Sequence, residues 1–128
     1  MAELIREQGQ KGLVGGPGSL VVVAFPSGQF GGQELATNAE IKAFVERSGL
    51  PCGGEDGGFL LMDKVDVNGP GASDVFTFLK AASSAAEDVK WNFGAYWLVG
   101  KGGAVERLPG LKQGPKEHAG RVQEALDA

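Results

Sequence analysis

Apolar residues along this chain fall into short blocks, separated by stretches rich in glycine and proline. The densest block, Leu20 to Phe25, carries no charge and reads as a strand buried on both faces. Pro26 ends it, because proline has no N–H to give to a ladder. Further on, Thr37 and Glu40 form a capping-box pattern, with a hydroxyl for an orphan N–H and a carboxylate reaching back. Ile41, Phe44 and Val45 then share one helical face, and Gly49 is a natural stop. Leu50 to Gly58 reads as a loop. Phe59 to Met62 is apolar and the alternation continues through Val65 and Val67, which predicts a strand over Phe59–Val67. Asn68-Gly69-Pro70-Gly71 is a turn. Ser73 can cap a short helix that turns Val75, Phe78 and Leu79 inward. Ala95–Val99 and Ala104–Arg107 flank Gly100-Lys101-Gly102-Gly103 and predict a hairpin. Pro115 can open a last helix with Ala119, Val122 and Leu126 on one side. At the other end, Glu3 to Gln10 reads as closing turns of a helix, and Val14 to Ser19 as a loop.

This order of helices and strands is an α/β layered pattern. With 128 residues it fits one domain, 1–128, and not two. The formal net charge of -4 lacks the basic footprint that nucleic acid or an anionic membrane surface would need. No apolar run approaches the roughly 20 residues of a membrane span. The first residues lack the charged and apolar regions of a signal peptide, so the expected location is the cytoplasm or an organellar matrix. Gly15-Gly16-Pro17-Gly18 could cradle phosphate, but no Lys-Ser or Lys-Thr follows as a P-loop requires. Cys52 is the sole cysteine, so no internal disulfide forms. Together with the single histidine, His118, it does not make a metal site.

The stretch Ala24-Phe25-Pro26-Ser27-Gly28-Gln29-Phe30-Gly31-Gly32-Gln33-Glu34 resembles the FPCNQFGxQE signature of the glutathione peroxidases, a thioredoxin-fold family. It departs from that signature at Ser27 (for Cys) and Gly28 (for Asn). Thr37-Asn38, Glu40-Ile41, Asp63-Lys64-Val65-Asp66-Val67-Asn68-Gly69 and Lys90-Trp91-Asn92-Phe93 extend the resemblance, in family order, from about Leu20 to Arg107. It implies a thioredoxin-like three-layer α/β sandwich. It also implies reduction of hydroperoxides in the oxidative stress response, with glutathione or thioredoxin as reducing co-substrate and no further cofactor. Gln33, Trp91 and Asn92 map onto the family's catalytic group. Peroxide reacts with a thiol or selenol only as its anion. Two amide NH₂ groups and an indole N–H are all donors, able to stabilise that anion when preorganised around it.

The family's nucleophile, a cysteine or selenocysteine, belongs to an NVASxCGxT-like motif, and nothing from Met1 to Ser19 resembles it. Ser27 is at a different family position. As an alcohol with no neighbouring base in sequence, it is also a poor peroxide nucleophile. Cys52 lies where some thioredoxin-dependent members carry a resolving cysteine, in a context, Leu50-Pro51-Cys52-Gly53-Gly54, that does not closely match. It is either a redox thiol or a free loop thiol, depending on whether its pKa is lowered. Two readings follow: a peroxidase, or a truncated, catalytically inactive thioredoxin-fold module for binding or scaffolding. In the family fold the strand ending at the nucleophile motif is interior. Without it, the Leu20–Phe25 and Phe59–Val67 strands are expected to lose a shared neighbour. They must then pair with each other, leave backbone groups unpaired, or borrow a strand from another chain. Open apolar edges predict self-association.

Overall fold

A computed structural model describes residues 20–50 and 58–128. The helix expected over Glu3–Gln10, the loop expected at Gly15–Gly18, and Cys52 lie outside the described residues. The described elements are β1 (Val22–Ala24), α1 (Asn38–Arg47), β2 (Phe59–Leu61), α2 (Asp74–Ala82), β3 (Ala95–Val99), β4 (Val105–Pro109), a 3₁₀ turn (Pro115–His118) and α3 (Ala119–Asp127). Among the described residues, no helix is long and apolar enough to cross a membrane.

The strands form two separate ladders. β1 and β2 pair in parallel, with Val22 opposite Phe59 and Ala24 opposite Leu61. β3 and β4 pair antiparallel, from Ala95 opposite Pro109 to Val99 opposite Val105. Of the three alternatives expected for these two strands, the structure shows the first, direct pairing with each other. Their facing edges satisfy each other, and the break in the sheet lies between the parallel pair and the hairpin. β1 is also shorter than the Leu20–Phe25 block and is not buried on both faces. Val23, 45% exposed, stands on a face that none of the described elements covers. β2 ends at Leu61, and beyond it the chain stays beside β1 through two further bonds, from the Met62 N–H to the Ala24 carbonyl and from the Val65 N–H to the Pro26 carbonyl.

The helix boundaries follow local chemistry. Thr37 Oγ1 accepts from the Glu40 N–H at 3.2 Å and begins α1, while Gly49, at φ +86°, lies just beyond its end. The return bond from the Glu40 carboxylate is not made, so half of the expected capping box is present. Ser73 Oγ accepts from the Val75 N–H and caps α2. The inward face of α2 differs from the sequence reading. Phe76 is buried, whereas Val75 and Phe78 are exposed, Phe78 by 60%. On α1 it is Ile41 that is buried, while Phe44 faces solvent.

Phe30, Val67, Phe76 and Val89 make the core, with Phe25, Val65, Leu79, Ala95 and Trp97 packed against it. Phe76 stands edge-on to Phe25 at 5.1 Å and to Trp97 at 5.6 Å, and so links the parallel pair to the hairpin. Arg107 lies over the Trp97 ring at 5.0 Å and donates to the carbonyls of Ala85, Glu87 and Asp88. His118, read as one polar residue of the last helix, is buried in the 3₁₀ turn. Its Nε2 is 2.6 Å from the Pro109 carbonyl and its ring is edge-on to Tyr96. Burial, and after it the charge of Glu117, hold the Tyr96 phenol above its ordinary value of 10.0.

Candidate functional site

Two loops bring the expected donors together. The first leaves β1 at Phe25 and runs to Thr37. Phe30 anchors it in the core, and consecutive left-handed glycines, Gly31 and Gly32, turn it back toward the second loop. Gly31 lies beneath the Trp91 ring, where an added Cβ would stand 3.1 Å from Trp91 Cη2. The second loop precedes β3. Its turn closes through the Gly94 N–H to the Trp91 carbonyl at 2.8 Å, and the Leu111 N–H donates to the Phe93 carbonyl at 2.7 Å. Gly94 and Gly110 permit this close backbone packing. A Cβ at Gly94 would come within 2.7 Å of the Trp91 carbonyl oxygen, and one at Gly110 would overlap that of Phe93.

Across the two loops, Asn92 Nδ2 donates to Gln33 Oε1 at 3.1 Å. The Trp91 ring lies 6.1 Å from Phe30, and its outer side reaches solvent, with 43% of the residue exposed. Gln33 is exposed and Asn92 half-buried. Among the described residues, neither the Gln33 NH₂ nor the Trp91 indole N–H donates to a partner. Both residues are exposed, and as donors these groups are able to bond an anion. An open groove of about 390 Å³ lies elsewhere, lined by Phe25, Leu61, Met62, Asp63, Val65, Ser73 and Val75, and contains none of the three donors.

Of the other sequence candidates, Cys52 lies outside the described residues. Ser27 is buried, and its Oγ accepts from the Gln29 N–H at 3.4 Å, which is turn chemistry. Among the described residues no group of three or more His, Cys, Asp and Glu side chains could hold a metal ion. Sequence reasoning missed three polar residues behind the loops. Gln29 Oε1 accepts from the N–H groups of Val67 (2.7 Å) and Asn68 (3.0 Å), and Gln29 Nε2 donates to the Asn68 carbonyl at 2.9 Å. Asn68 Nδ2 donates to the Val89 carbonyl at 2.7 Å, and its Oδ1 accepts from the Val89 N–H at 2.8 Å. Lys80 Nζ donates to Asn68 Oδ1 and to the Val67 carbonyl. Only the position of Gln29 and Asn68 inside the two family-like motifs could have flagged them.

The glutathione peroxidase family's sequence model matches residues 11–80. The chain belongs to the glutathione peroxidase family. It is 55% identical over 86 residues to "Glutathione peroxidase 1, mitochondrial" of Chlamydomonas reinhardtii, a match covering 67% of this chain and 40% of that relative. It is 39% identical over 120 residues to "Hydroperoxy fatty acid reductase gpx1" of Synechocystis, covering 87% of this chain and 66% of that one. In structure it is similar to the crystal structure of Trgpx in apo form, with a TM-score of 0.67 at 25% identity, over 99% of this chain and 68% of that one. The thioredoxin-like α/β fold is thus established, and the glutathione peroxidase match spans two fifths of the length of the Chlamydomonas relative.

Proposed function

We propose that this glutathione peroxidase-family chain serves hydroperoxide reduction, with Gln33, Trp91 and Asn92 as the donor group of the site. A hydroperoxide becomes an alcohol and water, and two thiols of glutathione or thioredoxin become a disulfide. The observation that carries this is the Gln33–Asn92 hydrogen bond, next in sequence to Trp91, which joins residues 59 apart in the chain. The family's thiolate or selenolate nucleophile has no counterpart in this sequence, and Cys52, outside the described residues, is the one thiol it offers. The matching relative named as mitochondrial favours an organellar matrix, with the cytoplasm as the other compartment. Self-association belongs to the same reading. Since β1 and β2 close on each other, it rests on the ladder edges facing the break between the parallel pair and the hairpin.

The test is turnover of a hydroperoxide by the purified chain, with glutathione and separately with thioredoxin. Turnover lost in Cys52→Ser makes Cys52 the nucleophile, and turnover that survives excludes it. Trp91→Phe keeps the ring and removes the N–H, and it is expected to lower turnover on the order of 100-fold. No turnover with either reductant would refute the catalytic reading and leave a non-catalytic binding or scaffold module.

A further inference from the structure

We propose that Gln29 and Asn68 are positioning residues that clamp the Gln33 loop to the Trp91–Asn92 loop. The inference rests on reading Gln33, Trp91 and Asn92 as one site. No strand ladder joins the two loops, since β1 pairs with β2 and β3 with β4. Their described polar connection behind the site runs through Asn68 instead. On one side, Gln29 holds the backbone of Asn68 with both ends of its carboxamide. On the other, the carboxamide of Asn68 holds both backbone groups of Val89. Each side chain thus imitates one step of strand pairing, donor to carbonyl and acceptor to N–H.

The spacing makes the clamp local to the site. Gln29 is four residues before Gln33, and Val89 is two before Trp91 and three before Asn92. Val67 and Val89, the apolar neighbours of the two grips, are both buried in the core. The grips are therefore tied to fixed backbone. Lys80 completes the unit. Its side chain is 12% exposed, and its ammonium donates to Asn68 Oδ1 and the Val67 carbonyl, which fixes the rotamer of Asn68 from behind. Two side chains outside the donor group thereby set the distance at which Asn92 meets Gln33.

The clamp is tested on the intact chain by isotope-edited NMR, without reference to turnover. The readouts are the cross-peak between the Asn92 and Gln33 side-chain amides and the Trp91 indole N–H resonance, with the β3–β4 amides as the control. Gln29→Ala is expected to lose the cross-peak and shift the indole resonance while the hairpin amides stay in place. Gln29→Glu keeps an acceptor for the Val67 and Asn68 N–H groups but sets a carboxylate oxygen against the Asn68 carbonyl, and is expected to lose the cross-peak too. Asn68→Ala is expected to repeat the loss. Persistence of the cross-peak in Gln29→Ala overturns the proposal. So does a loss that extends to the hairpin, which would make these residues supports of the whole fold. A cross-peak retained in Gln29→Glu overturns it as well, because the donor end of the carboxamide would then be dispensable. An inactive chain that behaves as expected here would refute peroxidase function and leave the clamp standing.

Discussion

Gly31 allows the Trp91 ring to lie close to the Gln33 loop, and a side chain in its place would be strained. It combines a left-handed backbone with a ring that stands closer than ordinary contact to where its Cβ would be. At this scale the sequence was informative where a residue type admits few roles. Gln33 and Asn92 were singled out and do meet. It was less informative for side chains that serve two masters. Ser27 could be a family-position oddity or a turn former, and only the Gln29 N–H shows it to be the latter. His118 carried no signal of burial, because its partners, the Pro109 carbonyl and Tyr96, come from β4 and β3. Tyr96 is the chain's sole tyrosine, so its ionisation can be followed by absorbance without overlap. Its phenol is expected to titrate above 10.0 in the native protein and to return to the ordinary value in denaturant. An unfolded chain then gives up this proton first as pH rises. Folding stability from Tyr96 is whole below pH 10.0 and falls as pH climbs through the native midpoint. A native midpoint at or below the denatured one would contradict the burial argument.

Among the elements, ends were easier to read than faces. Thr37, Gly49 and Ser73 mark helix termini by chemistry that is local to a few residues, and the structure uses all three. The hairpin was legible for the same reason, its second strand running two residues past the expected Arg107. The inward face of α2 was not. Val75, Phe76, Phe78 and Leu79 are apolar on nearly all sides of a nine-residue helix, so periodicity alone does not choose between Phe76 and Phe78. The choice is made by Phe25 and Trp97, which come from either side of the break in the sheet. The lengths of β1 and β2 were missed because a strand exists only where a partner lies alongside. α1 offers a clean measurement of one cap. Thr37→Ala removes the acceptor for the Glu40 N–H and is expected to cost about 1 kcal/mol. The denaturant midpoint should fall with an unchanged slope. An unmoved midpoint would mean the cap is dispensable.

For the whole molecule, the family resemblance conveyed the α/β class, and hydrophobic pattern could not convey how the two ladders are held together. Among the described residues no large side chain is completely sealed from solvent, and the buried apolar set is small. Phe76 therefore carries an unusual share of the cohesion. Phe76→Ala is expected to cost about 3–5 kcal/mol. Set against the roughly 5–15 kcal/mol of an ordinary domain, that loss brings the fold near its limit. Circular dichroism melts would show a large drop in transition temperature. A drop no larger than that of a surface variant such as Phe78→Ala would show that the two ladders do not depend on this ring.

The stacking of Phe25, Phe76 and Trp97 also defines something like a cleavage plane in a crystal. Bonds within each ladder run along the layers, and the plane between them is bridged by ring edges and by the carboxamide of Asn68. Parting the layers would break no rung of either ladder. The Gln33 loop follows β1 on one side of this plane, and Trp91 and Asn92 lead into β3 on the other. Slip along it would therefore be read out first where, among the described residues, the two sides exchange a hydrogen bond in the open, between Asn92 and Gln33.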